Sequence, residues 1–232
     1  MKATGLNLVE KEDRDQGEKS RSGHSRASSA TRENILEVAM EEFAAKGLSG
    51  ARVDTIAEKT RTTKRMIYYH FQSKEKLYEA VLQRIYTMFS ESFVSIRMDD
   101  LSPEEAISRL IEATFDFDDA HPQFIRLVVI ENIHYGVHIK KITAIKENFK
   151  NAIGVLDLIV EHGQREGVFR TDVEALDVHL LIRSLCFFRV SNQYTFGVIF
   201  DKDFAHPETR ARQKKMIVEA VLGYLHTGKS VG

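Results

Sequence analysis

Residues 53–76 read VDTIAEKTRTTKRMIYYHFQSKEK, and this stretch decides the fold. Val53, Ile56 and Ala57 recur at i, i+3 and i+4, the spacing of one buried helical stripe. Thr60 to Thr62 interrupt that stripe as a turn. Thr63 then caps a second short helix, about Thr63 to His70, because a threonine hydroxyl takes one of the unpaired amides at a helix start. With Ile67 facing the core at 0°, a step of roughly 100° per residue places Arg65 near 160° and Tyr69 near 200°, directly outward. Tyr68 and Lys64 fall on one flank and Met66 on the other, and Phe71 returns to the core. Ser73 caps a third helix, about Lys74 to Ile96, which carries Leu77, Val81, Leu82, Ile85 and Phe89 at helical spacing.

The charge of this stretch is as one-sided as its wheel. The whole chain has a net charge of −1, but Lys59 to Lys76 hold six Lys/Arg against Glu75 alone, a net +5. A basic short helix that follows a tight turn and presents two tyrosines outward suits the major groove of DNA. The residues expected to meet DNA are Thr62, Thr63, Lys64, Arg65, Tyr68, Tyr69, His70 and Lys74. Arg65 is the leading base contact, since arginine bidentate to guanine is the commonest specific pairing. Tyrosine hydroxyls donate to phosphate, and their rings pack on sugar or thymine methyl; packing against neighbouring helices is the other reading for Tyr68 and Tyr69. Lys74, at the N-terminus of the next helix, adds its charge to free amides and a positive helix end, an anion site.

Upstream, Ile35, Leu36, Ala39 and Phe43 form one apolar stripe of a helix from about Arg32 to Lys46, with Thr31 as cap and Gly47 as a positive-φ stop. Residues 1–30 are rich in Ser, Gly and charge and predict a disordered arm. That arm is either a tail without function or, through Lys19, Arg21 and Arg26, a basic segment that touches DNA.

The order and spacing of Ile56-Ala57, Tyr68-Tyr69-His70-Phe71 and Ser73-Lys74-Glu75-Lys76-Leu77 resemble the TetR family of one-component transcriptional regulators. The resemblance runs over about Thr31 to Ile85. It departs at Arg61, where the family often has Gly, and at Arg65, where a small residue is common, so base preference is not carried over. It implies a homodimer on a double-stranded, palindromic DNA operator, most often a repressor that a small-molecule effector releases. It implies no enzyme and no cofactor.

Composition agrees with an all-α protein; the resemblance implies an N-terminal three-helix domain with the helix-turn-helix, residues 31–76, and a larger helical-bundle domain, residues 77–228, for ligand binding and dimerisation. The 232 residues are 43% hydrophobic, with no Trp and three Pro, and period-two alternation is scarce. The single cysteine, Cys186, excludes an intramolecular disulfide and fits a reducing compartment. No apolar run reaches the roughly 18 residues of a membrane span. The N-terminus lacks a signal-peptide core, so a cytoplasmic protein with no membrane partner is expected.

Beyond residue 100 the helices are marked by their ends. Ser102-Pro103-Glu104-Glu105 opens one that runs to about Asp118, and Asp118-Asp119 read as helix-terminal charges. Further helices are expected over Pro122 to His134, Ile139 to Glu166, Val173 to Phe196 and Pro207 to His226. Breaks fall at Gly136, at Gly167 to Asp172, and in a loop through Phe200 to His206. The helix from Val173 is apolar on more than one face. The resemblance implies that it and the last helix pair with a twofold mate, placing two recognition helices about 34–36 Å apart; intrachain core is the other use of that surface.

Polar side chains inside apolar stretches mark the expected effector site: Arg126, Asn132, His134, His162, Arg183, Arg189, Asn192 and Gln193. Structural ion pairs, for instance of Arg126 or Arg183 with an acid, compete with this reading. His134 and His138 have the spacing of two metal ligands, but Gly136 between them ends the helix, and no metal site is expected. No nucleophile motif, phosphate loop or paired carboxylates suggest catalysis. Two alternatives stay open. One is a ligand-independent DNA-binding dimer whose C-terminal domain binds another protein. The other is a helical enzyme or metal-binding protein with an accidental helix-turn-helix pattern.

Overall fold

The computed structural model describes residues 9–94 and 100–226, with side chains over 28–93 and 100–226. Among the described residues the chain is all-α. The elements are α1 (Val9–Gly50), α2 (Val53–Lys59), α3 (Lys64–Phe71), α4 (Lys74–Val94), α5 (Pro103–Ala120), α6 (Pro122–Ile133), a 3₁₀ turn (Ile139–Lys141), α7 (Thr143–Arg165), α8 (Ala175–Ser191), α9 (Gln193–Phe200) and α10 (Pro207–Leu225).

The predicted stripe of α1 is its buried face, with Ile35 and Phe43 fully enclosed. Gly47, at φ 66 and ψ 176, kinks the helix where the sequence places its stop. At the other end the two readings differ. The backbone is helical from Val9, ahead of the expected start at Arg32 and inside the expected disordered arm. The side chains at 28–30 are exposed. Residues 1–8 and the side chains of Lys19, Arg21 and Arg26 lie outside the described residues, as does the expected end of α4 at Ile96.

All three prolines open helices, in the first turns of α5, α6 and α10. A missing N–H costs nothing there. Ser102 and Glu105 form a complete capping box: Ser102 N–H donates to Glu105 Oε2 at 3.0 Å and Glu105 N–H to Ser102 Oγ at 3.3 Å.

α5 is central, packed by α4, α6, α7, α8 and α10. It buries Ile107, Leu110, Ile111 and Phe115 completely. α4 packs on α1 on one side and on α7 on the other, and α1 also packs on α6. The three N-terminal helices are therefore held to the rest at two places, along α4 and across the α1–α6 contact.

Three expectations need correcting. The helix expected from Ile139 begins at Thr143. Glu131, 1% exposed, accepts from the backbone N–H of His138 and of Ile139, both at 3.2 Å. These bonds hold residues 138–141 in a tight turn. The helix expected over Val173 to Phe196 is two helices. Asn192 ends α8 at φ −107, ψ 1, its side-chain amide donating to Phe188 O at 3.0 Å. α9 then runs to Phe200, so the following loop begins at Asp201, in the left-handed region at φ 48. Finally, Asp118 and Asp119 are not free helix-terminal charges. Asp118 is fully buried, and both carboxylates are paired with arginines of other helices.

Candidate nucleic-acid interface

The interface is built on a three-helix core. Val53, Ile56 and Ala57 of α2 and Ile67 and Phe71 of α3 are buried against α1 and the first turns of α4. Phe43 meets Tyr78 edge to face at 5.0 Å. The turn between α2 and α3 is closed by side chains and backbone together. Thr60 Oγ1 donates to Ile56 O at 2.7 Å, and Thr62 N–H donates to Ala57 O at 3.0 Å. Arg61 is driven to φ 52. A non-glycine residue holds that left-handed conformation at a cost of roughly 1–2 kcal/mol, which gives the family's frequent glycine at this place a physical reason.

Thr63 caps α3, its Oγ1 accepting from Met66 N–H at 3.2 Å. α3 then shows the orientation that the helical wheel predicts. Ile67 is 1% and Tyr69 76% exposed, and Arg65 is exposed beside Tyr69. Tyr68, 37% exposed, lies between the two readings offered for it. Lys64 is exposed but faces Asp54 at 3.1 Å, so part of its charge is answered within the chain. Lys74 is half-buried and donates to Ser49 O at 3.3 Å, which pins its ammonium at the α1–α4 corner. Ser73 caps α4 by accepting from Lys76 N–H at 3.1 Å.

His70 is the member of the expected DNA-facing set that the fold turns away. Its ring lies between Tyr69 and Phe71, and Nε2 is enclosed without a partner. The wheel contains this answer: three residues after Ile67, His70 lies roughly 300° around, next to the core side. The remaining residues give α3 an outward face of cation and phenol, flanked by a capped helix start. Chemically that face suits an anionic, grooved surface.

The expected effector residues do not form one site. Arg126, His134 and Gln193 line a groove of about 490 Å³ between the end of α1, α6 and the α8–α9 junction. There Arg126 stacks over Tyr194 at 5.7 Å. Arg183 lies deep in the C-terminal helices, its Nη1 donating to both oxygens of Asp118 at 2.9 Å. Arg189 pairs with Asp119. Asn192 serves the break after α8. Asn132 bonds back to Val128 O of its own helix at 2.8 Å, and His162 faces Glu166 on the surface at 3.1 Å. His134 is exposed, whereas His138 turns inward onto Glu131 at 2.9 Å.

Around Arg183 the core is aromatic. Its guanidinium sits over Phe89 at 4.6 Å, Phe89 stacks with Phe124 at 5.2 Å, and Phe93 and Phe149 flank His179 at 6.3 and 6.2 Å. Burial, together with the charge of Arg183, pushes His179 down to about 4. Burial raises the Asp118 carboxyl against the opposing pull of Arg183. Periodicity could place His179 and Asp118 on helices, but could not give their burial or pairing, because their partners lie on other helices.

Residues 35–81 match the family model of bacterial regulatory proteins of the tetR family, and residues 103–221 match the tetracyclin repressor-like C-terminal domain. The HTH-type transcriptional repressor NicS of Pseudomonas putida is 37% identical over 181 residues, spanning 78% of this chain and 85% of that protein. The HTH-type transcriptional repressor SCO4008 of Streptomyces coelicolor is 30% identical over 154 residues, 66% of this chain and 74% of its own length. Among solved structures, the putative transcriptional regulator SCO4942 of Streptomyces coelicolor superposes with a TM-score of 0.64 at 28% identity, covering 84% of this chain and 98% of that one. With its helix-turn-helix and its helical C-terminal domain both matched, this chain belongs to the TetR family of transcriptional regulators.

Proposed function

We propose that this protein is a homodimeric repressor that binds a palindromic DNA operator through α3 and leaves it when a small molecule occupies the C-terminal domain. The observation that carries the DNA part is the outward face of α3, where Arg65 and Tyr69 are presented on a helix held rigidly by Ile67 and Phe71. Arg65 reads a base; Thr62, Thr63, Lys64, Tyr68, Tyr69 and Lys74 hold the backbone. The repressor names of NicS and SCO4008 support the sign of regulation. Its place of work is the cytoplasm, where DNA is found.

The dimer reading rests on an exposed apolar stripe. Leu176, Leu180 and Phe188 of α8 are 53%, 55% and 51% exposed, and Met216 and Tyr224 of α10 are 54% and 38% exposed. Such contiguous surface marks a protein interface, and a twofold seam uses the same patch on both copies. For the effector, the aromatic residues around Arg183 and His179 bring apolar rings and two polar heads together, the composition of a small-molecule site. Differential binding of roughly 1–3 kcal/mol, or about 5–150-fold, is the coupling such a switch needs.

The test is selection of duplexes from a random pool by the purified protein, repeated with Arg65→Ala. The expected product is a palindrome whose half-sites lie about 10 base pairs apart centre to centre, or a multiple of that. Arg65→Ala should cost about 1–3 kcal/mol and relax preference at one base pair of each half-site. No enrichment would refute the proposal, and uniform weakening on all sequences would move Arg65 to a phosphate.

A further inference from the structure

A second cavity, of about 420 Å³, lies between α8, α9 and α10. Leu185, Phe196, Phe204 and Ile217 give it apolar walls, and the half-exposed Phe188 and Met216 stand at its edge. The rings are continuous: Phe196 meets Phe188 at 5.3 Å and Phe204 at 6.3 Å. Two of its lining residues each carry an enclosed polar atom without a hydrogen-bond partner, Arg189 Nε and Gln213 Oε1.

Arg189 is unusual among the buried cations. Its side chain is 10% exposed, and Nη2 of its guanidinium is engaged. Nη2 donates to Phe115 O at 3.1 Å and pairs with Asp119, and the group lies over the Phe115 ring at 3.5 Å. Asp119 is shared with Arg210, so two cations divide one carboxylate and the local balance is positive. Nε–H is left over, a rigidly held donor. Burying such a group without a partner is costly, and buried polar atoms are as a rule satisfied. A partner that supplies an acceptor to Arg189 and a donor to Gln213 resolves both costs at once.

We propose that this cavity is a ligand site, separate from the Arg183 and His179 cluster. It takes a small aromatic molecule with an anionic oxygen for Arg189 Nε–H and a neighbouring N–H or O–H for Gln213 Oε1. The aromatic walls select a flat apolar body, and the excess positive charge selects the anion. The site does not depend on the dimer. Only its closure rests on that reading: Phe188 and Met216 belong to the stripe assigned to the seam, so the mate covers the mouth and couples occupancy to the way the two copies sit together.

Anilinonaphthalene sulfonate has the required features, namely aromatic rings, a sulfonate and an aniline N–H, and it fluoresces when shielded from water. Titrated into the full chain, it should bind saturably at one site per chain. Gln213→Glu sets a carboxylate against the sulfonate, Gln213→Leu removes the acceptor, and both stand on a half-exposed helical position that tolerates change. Each should weaken the dye by about tenfold or more, with the circular dichroism spectrum unchanged. Equal affinity in the wild type and both variants overturns the proposal, as does weakening by His179→Gln alone, which would place the dye in the core cluster. Leu180→Arg lies in the stripe and outside the cavity lining. If sedimentation shows it monomeric and it still binds the dye, the site stands apart from the dimer. If the monomer no longer binds, the cavity is a product of the seam and the proposal fails. A wild type that sediments as a monomer refutes the dimer reading and leaves the dye test intact.

Discussion

The Tyr78 hydroxyl donates to the Glu131 carboxylate at 3.0 Å, across 53 residues of sequence, with both side chains buried. Tyr78 is on α4, one turn past its cap at Ser73, and meets Phe43 of α1. Glu131 is on α6 and also holds the turn at His138 and Ile139. This is a buried polar contact that spans from the DNA-reading helices to the C-terminal helices. Burial and the charge of Glu131 hold the Tyr78 hydroxyl above the usual phenol range, so it remains a donor at any working pH. Tyr78→Phe removes one donor from a buried carboxylate and should cost about 1–3 kcal/mol of stability, read as a lowered denaturant midpoint at constant slope. Operator affinity should fall with it, because α4 loses a fixed bearing on α6. An unchanged midpoint would show that the bond does not form in solution.

Lys74 has one donor spent on Ser49 O and keeps two for a phosphate. Lys74→Ala should weaken binding to specific and random duplexes alike and lower the slope of log affinity against log salt by about one unit. A slope equal to that of the wild type would confine Lys74 to its contact with Ser49.

Gly163 on α7 has no room for a side chain. A Cβ there would lie 2.0 Å from Cδ2 of Phe169, a ring with no exposure. Phe169 N–H also donates to Gly163 O at 3.0 Å, so the turn after α7 cannot swing away cheaply. Gly163→Ala should destabilise by about 1–3 kcal/mol, the usual cost of overpacking. Phe169→Leu in the same chain should return part of that loss in a double-mutant cycle. Strict additivity would mean that the two do not touch.

His179 makes stability depend on pH. Its folded value is lowered from 6.5 to about 4 by burial and by Arg183. Between those values the unfolded chain binds a proton that the folded chain refuses. Stability is therefore full above pH 6.5 and falls as pH is lowered toward 4. His179→Gln, neutral throughout, should flatten that part of the thermal-midpoint profile. Parallel profiles would show that His179 titrates as it does in the unfolded chain.

The helix-turn-helix was legible because its information is local. Val53, Ile56, Ala57, Ile67 and Phe71 announce a face by spacing, Thr63 and Ser73 announce helix starts, and Gly47 announces a stop. Each of these needs only its neighbours within one or two turns. The same wheel, read fully, also places His70 next to the core. The C-terminal half was legible as helices and less so as sites. Asn192 splits a continuous apolar run because its amide finds Phe188 O, and a 3₁₀ turn over Ile139–Lys141, anchored by a carboxylate eight residues earlier, comes before the α-helix that begins at Thr143.

By itself, then, the sequence determined an all-α chain, the orientation of α3 and the family to which the chain belongs, since periodicity, caps and motif spacing are properties of adjacent residues. Tertiary structure alone decided which polar groups inside it are paired. Asp118 read as a solvated helix end and is a buried partner of Arg183, 65 residues away. Arg189, expected at an effector site, shares a cavity with Gln213, 24 residues further along the chain. A buried charge is answered by whatever group folding brings within hydrogen-bond reach, and that distance is not written along the chain.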